Sequence, residues 1–285
     1  MYRTIKLNKG YWGGKLPFKR GIIADPLQVF SDDVEKFSMS MKAFKIGHVT
    51  KHTEFKRHQK TQRFIKEWLH DISNPNILDI GASDGITSLE LIKSLNSFAK
   101  YFVTDYNLMC TYFKRKGLFY FFNQLHDCFL IANEKFLFYP NDEWFFKLLF
   151  GNSIRKIQRL PHKELLLVNK ELQNRSKIDS RIEIFTYNVF EAWNREKLDV
   201  IIVGNLLQPG YFTQEKIING LTNNYNALKD QGILVIIHNE VTRMGETEKS
   251  TIYKKNFSEN HLELVTHING GVEINNLILS LKFES

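Results

Sequence analysis

One short stretch, Leu78-Asp79-Ile80-Gly81-Ala82-Ser83-Asp84-Gly85, has the residue types to grip a ligand. Its glycines let the backbone approach a bound molecule closely. Its two carboxylates, Asp79 and Asp84, set the sign of the charge it would accept. A pyrophosphate is a poor fit. The dinucleotide fingerprint needs Gly-x-Gly-x-x-Gly with the anion at a helix N-terminus. Here the spacing is Gly-x-x-x-Gly and the flanking charge is negative. A ligand carrying an amino group and a sulfonium cation would suit the loop. Roughly twenty residues on stands Asp105, which can accept both hydroxyls of a ribose or serve as a solvated turn residue.

Such residues need a strand, a turn and a helix to hold them. Asn76–Ile80 reads as a short buried strand, 81–85 as a loop, Ile86–Leu95 as a helix and Tyr101–Asp105 as a second strand. That is the repeating unit of a parallel sheet. Arg181–Thr186, the apolar run Asp199–Val203 and Gly232–His238 read as further strands. A helix fits Gln214–Leu228, with Gly232 placed to cap it. Leu262–Ile268 and Asn276–Phe283, separated by Gly270-Gly271, read as an antiparallel hairpin at the sheet edge. Upstream, 1–50 is irregular and Thr53–Leu69 is helical, with Phe55, Phe64, Ile65, Trp68 and Leu69 largely on one face. The expected fold is α/β: a three-layer sandwich with a mostly parallel seven-stranded sheet and an antiparallel C-terminal hairpin.

Residues 106–160 break the alternation and form an aromatic-rich insert after the second strand. Phe119–Phe122, Phe129–Ile131 and Phe136–Tyr139 read as short strands, with turns at Asn123 and Asn133-Glu134. Trp144–Phe150 reads as a short amphipathic helix, and Pro161–Asn174 as the next helix. The insert is either a small β subdomain with its own core, or a hydrophobic wall over an acceptor. A third reading rests its aromatics on a membrane as a peripheral contact.

Asp79-Ile-Gly-Ala-Ser-Asp-Gly85 followed by Asp105 resembles the first two motifs of the class I, Rossmann-like, S-adenosylmethionine (SAM)-dependent methyltransferases. The resemblance covers roughly residues 61–283 without the insert. It implies S-adenosyl-L-methionine as cofactor and S-adenosyl-L-homocysteine as product. By resemblance, Gly81, Ala82, Ser83, Asp84 and Gly85 would hold the methionine portion, Asp79 its amino group, and Asp105 with Tyr106 the ribose. Asn188 and Val189 stand where the family contacts adenine, and Asn205 ends the fourth-motif strand. Asn188 also suits a simple turn.

The segment from Asn205 through Tyr211-Phe212 to His238-Asn-Glu240 is similar to chemotaxis-receptor glutamate methyltransferases. Their first motif and N-terminal helical domain have no counterpart here, so the similarity is one of architecture. A loosely characterised group of bacterial methyltransferases shares the Asn-Leu-Leu…Tyr-Phe segment, the aromatic insert and Gly270-Gly271-Val-Glu-Ile274. The domain expectation is an N-terminal substrate or lid segment, 1–60, and a SAM-binding domain, 61–285, carrying the insert 106–160.

Methyl transfer is an in-line displacement, so positioning supplies much of the catalysis. A base is needed only for a protonated acceptor. Candidates at the sheet edge are His238, Glu240, Asn205 and Tyr211, and His48 and His52 could enter from the N-terminal segment. No spacing suggests a metal site. Asn205-Leu-Leu-Gln208 replaces the Asn-Pro-Pro-aromatic tetrapeptide of nucleic-acid base N-methylation.

The formal charge is +8, with the cations scattered rather than striped; the densest runs, 51–60 and 114–116, match no nucleic-acid motif. There is no apolar run of membrane-spanning length and only two cysteines, Cys110 and Cys128, so the expectation is a cytoplasmic protein. The acceptor is then a small molecule or a glycan or lipid intermediate. The alternatives are a protein or RNA O-methyltransferase, with nucleic acid the less favoured partner, and a non-catalytic SAM-binding scaffold.

Overall fold

A computed structural model describes residues 2–7, 18–23, 25–46, 49–51, 55–134, 136–140, 144–242 and 245–283. In chain order the strands and helices are β1 (Tyr2–Leu7), β2 (Phe18–Ile23), α1 (Val34–Met41), β3 (Lys45–Ile46), β4 (Val49–Thr50), α2 (Gln59–Trp68), β5 (Asn76–Ile80), α3 (Ile86–Ser94) and β6 (Lys100–Asp105). There follow β7 (Met109–Arg115), β8 (Leu118–Phe122), β9 (Cys128–Ala132), β10 (Phe136–Phe138), α4 (Trp144–Ile157), β11 (Lys163–Leu166) and α5 (Lys170–Ile178). The chain ends with β12 (Ile182–Thr186), β13 (Leu198–Gly204), α6 (Gln214–Ala227), β14 (Leu228–Thr242), β15 (Gly245–Asn256), β16 (His261–Ile268) and α7 (Asn275–Ser280). Two compact units result: one from 1–55 and 107–171, the other from 56–106 and 172–285.

The second unit holds a seven-stranded sheet in the order β12-β6-β5-β13-β14-β15-β16. The first five strands are parallel, and β15 runs antiparallel to both its neighbours. The chain leaves β5 toward β6 and β12 on one side, then returns to β13 and β14 on the other. The order therefore reverses between β5 and β13, where open α/β sheets leave a crevice at the strands' C-terminal ends.

Registered rows explain why these strands read as apolar runs. Phe102, Leu78, Ile201, Leu234 and Tyr253 lie side by side on one face. They share a core with Ile217, Leu221 and Tyr225 of α6 and Ile278 of α7. The next row, Val103, Asp79, Ile202, Val235 and Ile252, faces the other way. There the Ser88 hydroxyl of α3 bonds Asp79, and Thr61 of α2 bonds Ser250.

The first unit is built on the sheet β11-β7-β8-β9-β10-β1-β2. Among its pairs only β1 with β10 is parallel. Phe121, Phe129, Leu137 and Leu165 pack with Phe37, Met41 and Phe44 of the α1 region. Tyr120, Phe122 and Ile131 pack with Phe150, Ile154 and Ile157 of α4. Both faces are covered, so the strand aromatics form two interior cores rather than a lipid-facing belt.

Several sequence expectations are corrected. The stretch 1–50, read as irregular, carries β1, β2, α1, β3 and β4. Asn276–Phe283 is not a strand: 275–280 is helix α7, with Ile278 fully buried and Val272 and Ile274 packed beside it. The antiparallel edge comes instead from β14, β15 and β16. β15 was hidden in a polar stretch whose Ser250, Thr251 and Lys255 are nonetheless buried. Pro161–Asn174 is not one helix: Lys163–Leu166 pairs with β7, and α5 starts at Lys170. The amphipathic helix predicted at Trp144–Phe150 runs on to Ile157.

Gly232 does not cap α6, which ends at Ala227. A Cβ there would lie 3.0 Å from the carbonyl oxygens of Leu198 and Lys229 and 3.2 Å from that of Asp199. All three are backbone atoms and cannot swing aside. Gly232→Ala should destabilise the protein by about 1–3 kcal/mol in urea unfolding. Gly151→Ala, at an α4 position where a Cβ meets open space, should instead stabilise it by about 0.5–1 kcal/mol.

Candidate functional site

β5 delivers the chain to the crevice, and the turn after it is tightly specified. Gly81, Ser83 and Gly85 all take left-handed backbone angles, with φ of 76°, 57° and 74°. A Cβ on Gly81 would stand 3.1 Å from the Gly204 carbonyl oxygen at the end of β13. Glycine is thus required twice over, by φ and by the close approach of two strand ends at the switch point.

The loop amides are consumed internally. Gly81 and Ala82 both donate to the Thr104 carbonyl, at 2.9 and 3.0 Å, and Gly85 donates to Ala82 at 2.9 Å. Ser83 donates to the Asp105 carboxylate and Ile86 to that of Asp84, each at 3.0 Å. A phosphate cradle needs converging backbone N–H groups, and these five are already satisfied. The flanking carboxylates point to the same conclusion, that this is not an anion site.

Asp79 lies beneath the loop. Its side chain accepts from the Ser88 hydroxyl at 2.7 Å, and its carbonyl accepts from Thr104 Oγ1 at 2.9 Å. Burial among aliphatic neighbours pushes its carboxyl up to about 6; the Ser88 hydrogen bond acts in the opposite direction. The buried Tyr101 hydroxyl is pushed well above its usual range, first by burial and then by the Asp79 charge. The Ser83 hydroxyl is buried without a hydrogen-bond partner. An orphaned donor in the loop and a desolvated carboxylate below it suit a small cationic, polar ligand. Asp105, fixed against Ser83, stands at the neighbouring strand end.

The remaining expected residues lie in the same unit, with different environments. Asn188 closes a turn: its Oδ1 accepts from the Phe190 amide at 3.2 Å and its Nδ2 donates to Glu191 at 3.2 Å. Val189 is buried in the α6 core, whereas Tyr106 is 56% exposed. Asn205, with φ of 53°, staples the ends of β13 and β14: its amide donates to Ile237 and its Oδ1 accepts from the Asn239 amide, each at 2.7 Å.

Of the catalytic candidates, His238 is buried with Nε2 3.1 Å from the Leu207 carbonyl, and burial lowers its pKa. Glu240 is exposed and paired with Lys249 at 2.7 Å. Tyr211 is also largely exposed. His48 and His52 lie outside the described residues. Among the described residues no group of His, Cys, Asp or Glu could hold a metal ion.

Sequence reasoning missed a cluster on the far side of Asn205. β14 and β15 continue past Gly204, the last β13 residue in register, as a two-stranded ribbon. The start of α2 grips that ribbon. α2 has no local side-chain cap; instead the Glu248 carboxylate of β15 accepts from the Lys60 and Thr61 amides. Arg57 pairs with Glu246, and His58 Nε2 lies 3.1 Å from Asn239 Nδ2. His58 is thus an acceptor there and neutral; burial, then the Arg57 charge, lowers its pKa to about 4. Asn239 Oδ1 is buried without a partner. The only sequence signal was a pair of basic residues before a helix.

No family model matches this chain, and no curated protein matches it in sequence. Solved structures do. CalH, a trans-methyltransferase in complex with SAH, is similar at 14% identity over 63% of this chain and 36% of its own, with a TM-score of 0.34. SAM-bound CalS10, an amino pentose methyltransferase from Micromonospora echinaspora, is similar at 8% identity over 71% and 66%, with a TM-score of 0.33. The N-methyltransferase NodS from Bradyrhizobium japonicum WM9, in complex with SAH, is similar at 13% identity over 64% and 62%, with a TM-score of 0.34. The chain spans well under half the length of CalH.

Two pH effects follow from the buried groups. Asp79 has a raised pKa, so its contribution to stability is complete below its unfolded value of 3.8 and is lost as pH rises through about 6. Asp79→Asn should therefore raise stability at pH 8 by on the order of 1–3 kcal/mol, with no gain below pH ~4, in denaturant titrations across pH. His58 has the opposite sign: its stability is present above 6.5 and lost as pH falls through about 4. His58→Gln keeps an acceptor for Asn239 and should flatten the acid limb of the same curve.

Proposed function

We propose that this chain binds SAM and transfers its methyl group to an acceptor of small-molecule or glycan/lipid-intermediate type. The observation that carries the reading is the glycine loop at the switch point. Its amides are satisfied internally, a desolvated carboxylate lies beneath it and a second carboxylate, Asp105, is fastened to it. That is a site for a cation joined to a ribose, not for a phosphate.

On this reading Gly81–Gly85 take the methionine end, with Asp79 supplying negative charge toward the α-ammonium. Asp105 and Tyr106 hold the ribose. Val189 meets the adenine, beside the turn that Asn188 closes. Asn205 lines the crevice at the end of β13. When bound, SAM supplies an activated methyl group on a sulfonium, so the protein's contribution is chiefly orientation and exclusion of water. His238, buried and held by Leu207, positions the wall behind Asn205, and a proton from the acceptor passes to solvent.

A second reading, a SAM-binding scaffold without turnover, is favoured by how the candidate bases are engaged. Glu240 is paired with Lys249, and Tyr211 is 45% exposed.

Calorimetric titration with SAM and S-adenosyl-L-homocysteine tests both. Wild type should bind each saturably. Asp105→Ala should weaken binding by about thirtyfold or more, the loss of a charged hydrogen-bonding partner. Gly81→Arg, whose Cβ would stand 3.1 Å from the Gly204 carbonyl oxygen, should abolish binding. Circular dichroism shows whether each variant is folded. A folded wild type that binds neither ligand overturns the reading. Binding without transfer to any of a broad acceptor panel moves the weight to the scaffold.

A further inference from the structure

We propose that the outer face of α4 is a docking surface for an anionic lipid bilayer. The inference does not rest on the methyltransferase reading. It begins from how the helix divides. Phe150, Ile154 and Ile157, spaced i, i+4, i+7, pack inward against β8 and β9. The opposite side carries Leu148 and Leu149, which are 70% and 57% exposed, with Arg155 and Lys156 also exposed.

At about 100° per residue, Leu148 and Arg155 fall within ~20° of one another, and Arg159 follows in the turn after Ile157, where the Gln158 amide still donates to the Ile154 carbonyl. Leu149 and Lys156 lie on the adjoining strip. Leu160, just beyond the helix, is also exposed. None of the residues Trp144–Ile157 is acidic. Off the helix, Asp127, Glu134 and Glu164 are exposed among the described residues, and Asp142-Glu143 precede Trp144 in the sequence. The β8–β9 turn is tethered to its end by Gln158 Nε2, which donates to the His126 carbonyl at 2.9 Å, and that turn presents Leu125 at 80% exposure.

Charge complementarity selects the occupant. Leucines flanked by arginine and lysine, without counter-charges on the helix, match the boundary between acyl chains and anionic headgroups. The aliphatic stems of Arg155, Lys156 and Arg159 can lie along the surface with their charged ends at the phosphates. A groove for a partner helix would need a longer apolar stripe than these leucines provide. The strand aromatics, buried in the two cores, take no part.

The test is co-sedimentation of the full chain with vesicles of phosphatidylcholine, with and without phosphatidylglycerol. Wild type should pellet with the anionic vesicles and be released by added salt. Leu148→Asp with Leu149→Asp should weaken binding at least tenfold, since apolar burial is lost. Arg155→Glu with Arg159→Glu should abolish it. Unchanged thermal melts and SAM titrations separate these effects from misfolding and from failure of the methyltransferase reading; Leu149→Ser is the milder variant should the double one unfold. Three results would overturn the proposal: wild type left in the supernatant with both vesicle types, binding indifferent to the leucine changes, or a lipid-free dimer that Leu148→Asp dissociates.

Discussion

A single carboxylate in an aliphatic row shapes the whole C-terminal edge of the parallel sheet. Asp79 sits between Val103 and Ile202, with Val235 and Ile252 continuing the row. A strand covered on both faces ordinarily puts a branched aliphatic there. Burying the carboxylate is unfavourable, and the Ser88 hydroxyl offsets only part of that cost. What the carboxylate provides is negative potential under a loop whose three left-handed residues leave it little freedom to move. Stability at neutral pH is lowered by the same feature that would attract a cation, a trade common at binding sites.

The loop and the opposing edge are held by different means. On the β6 side the Thr104 carbonyl takes two loop amides, and the Asp105 carboxylate takes a third. On the β13 side the anchors are side chains. Asn205 joins β13 to β14, Asn239 joins Asn205 to His58, and Glu248 caps the helix that carries His58. Because β14 and β15 overhang the sheet, the ribbon needs a support of its own. The N-terminus of α2 supplies it, favoured by a carboxylate at the positive end of the helix dipole.

The strands that carry the loop were legible because each is an uninterrupted apolar run between turn residues. Asn76–Ile80 and Leu198–Gly204 match their sequence readings to within a residue or two. The glycine loop was legible because both spacing and charge constrain it. β15 was not, since it is buried on both faces and its buried positions include Ser250, Thr251 and Lys255, which give no apolar alternation. α7 was mistaken for a strand because Leu277, Ile278, Leu279 and Leu281 suit either period over so short a run. The clamp between α2 and the ribbon was invisible for a different reason. His58 stands about 180–190 residues before Asn239, Glu246 and Glu248 in the chain, and no local pattern announces a contact of that range.

The chemistry of this edge favours orientation over proton transfer. His58 is held neutral, with Nε2 turned toward Asn239, and His238 is lowered by burial with its own Nε2 at a carbonyl. Neither is tuned as a strong base near neutral pH. A sulfonium leaving group does not require one, because a well-placed nucleophile needs only alignment and a dry approach. Asn205, a neutral amide that ties the ends of β13 and β14, fixes this edge without adding a charge to it.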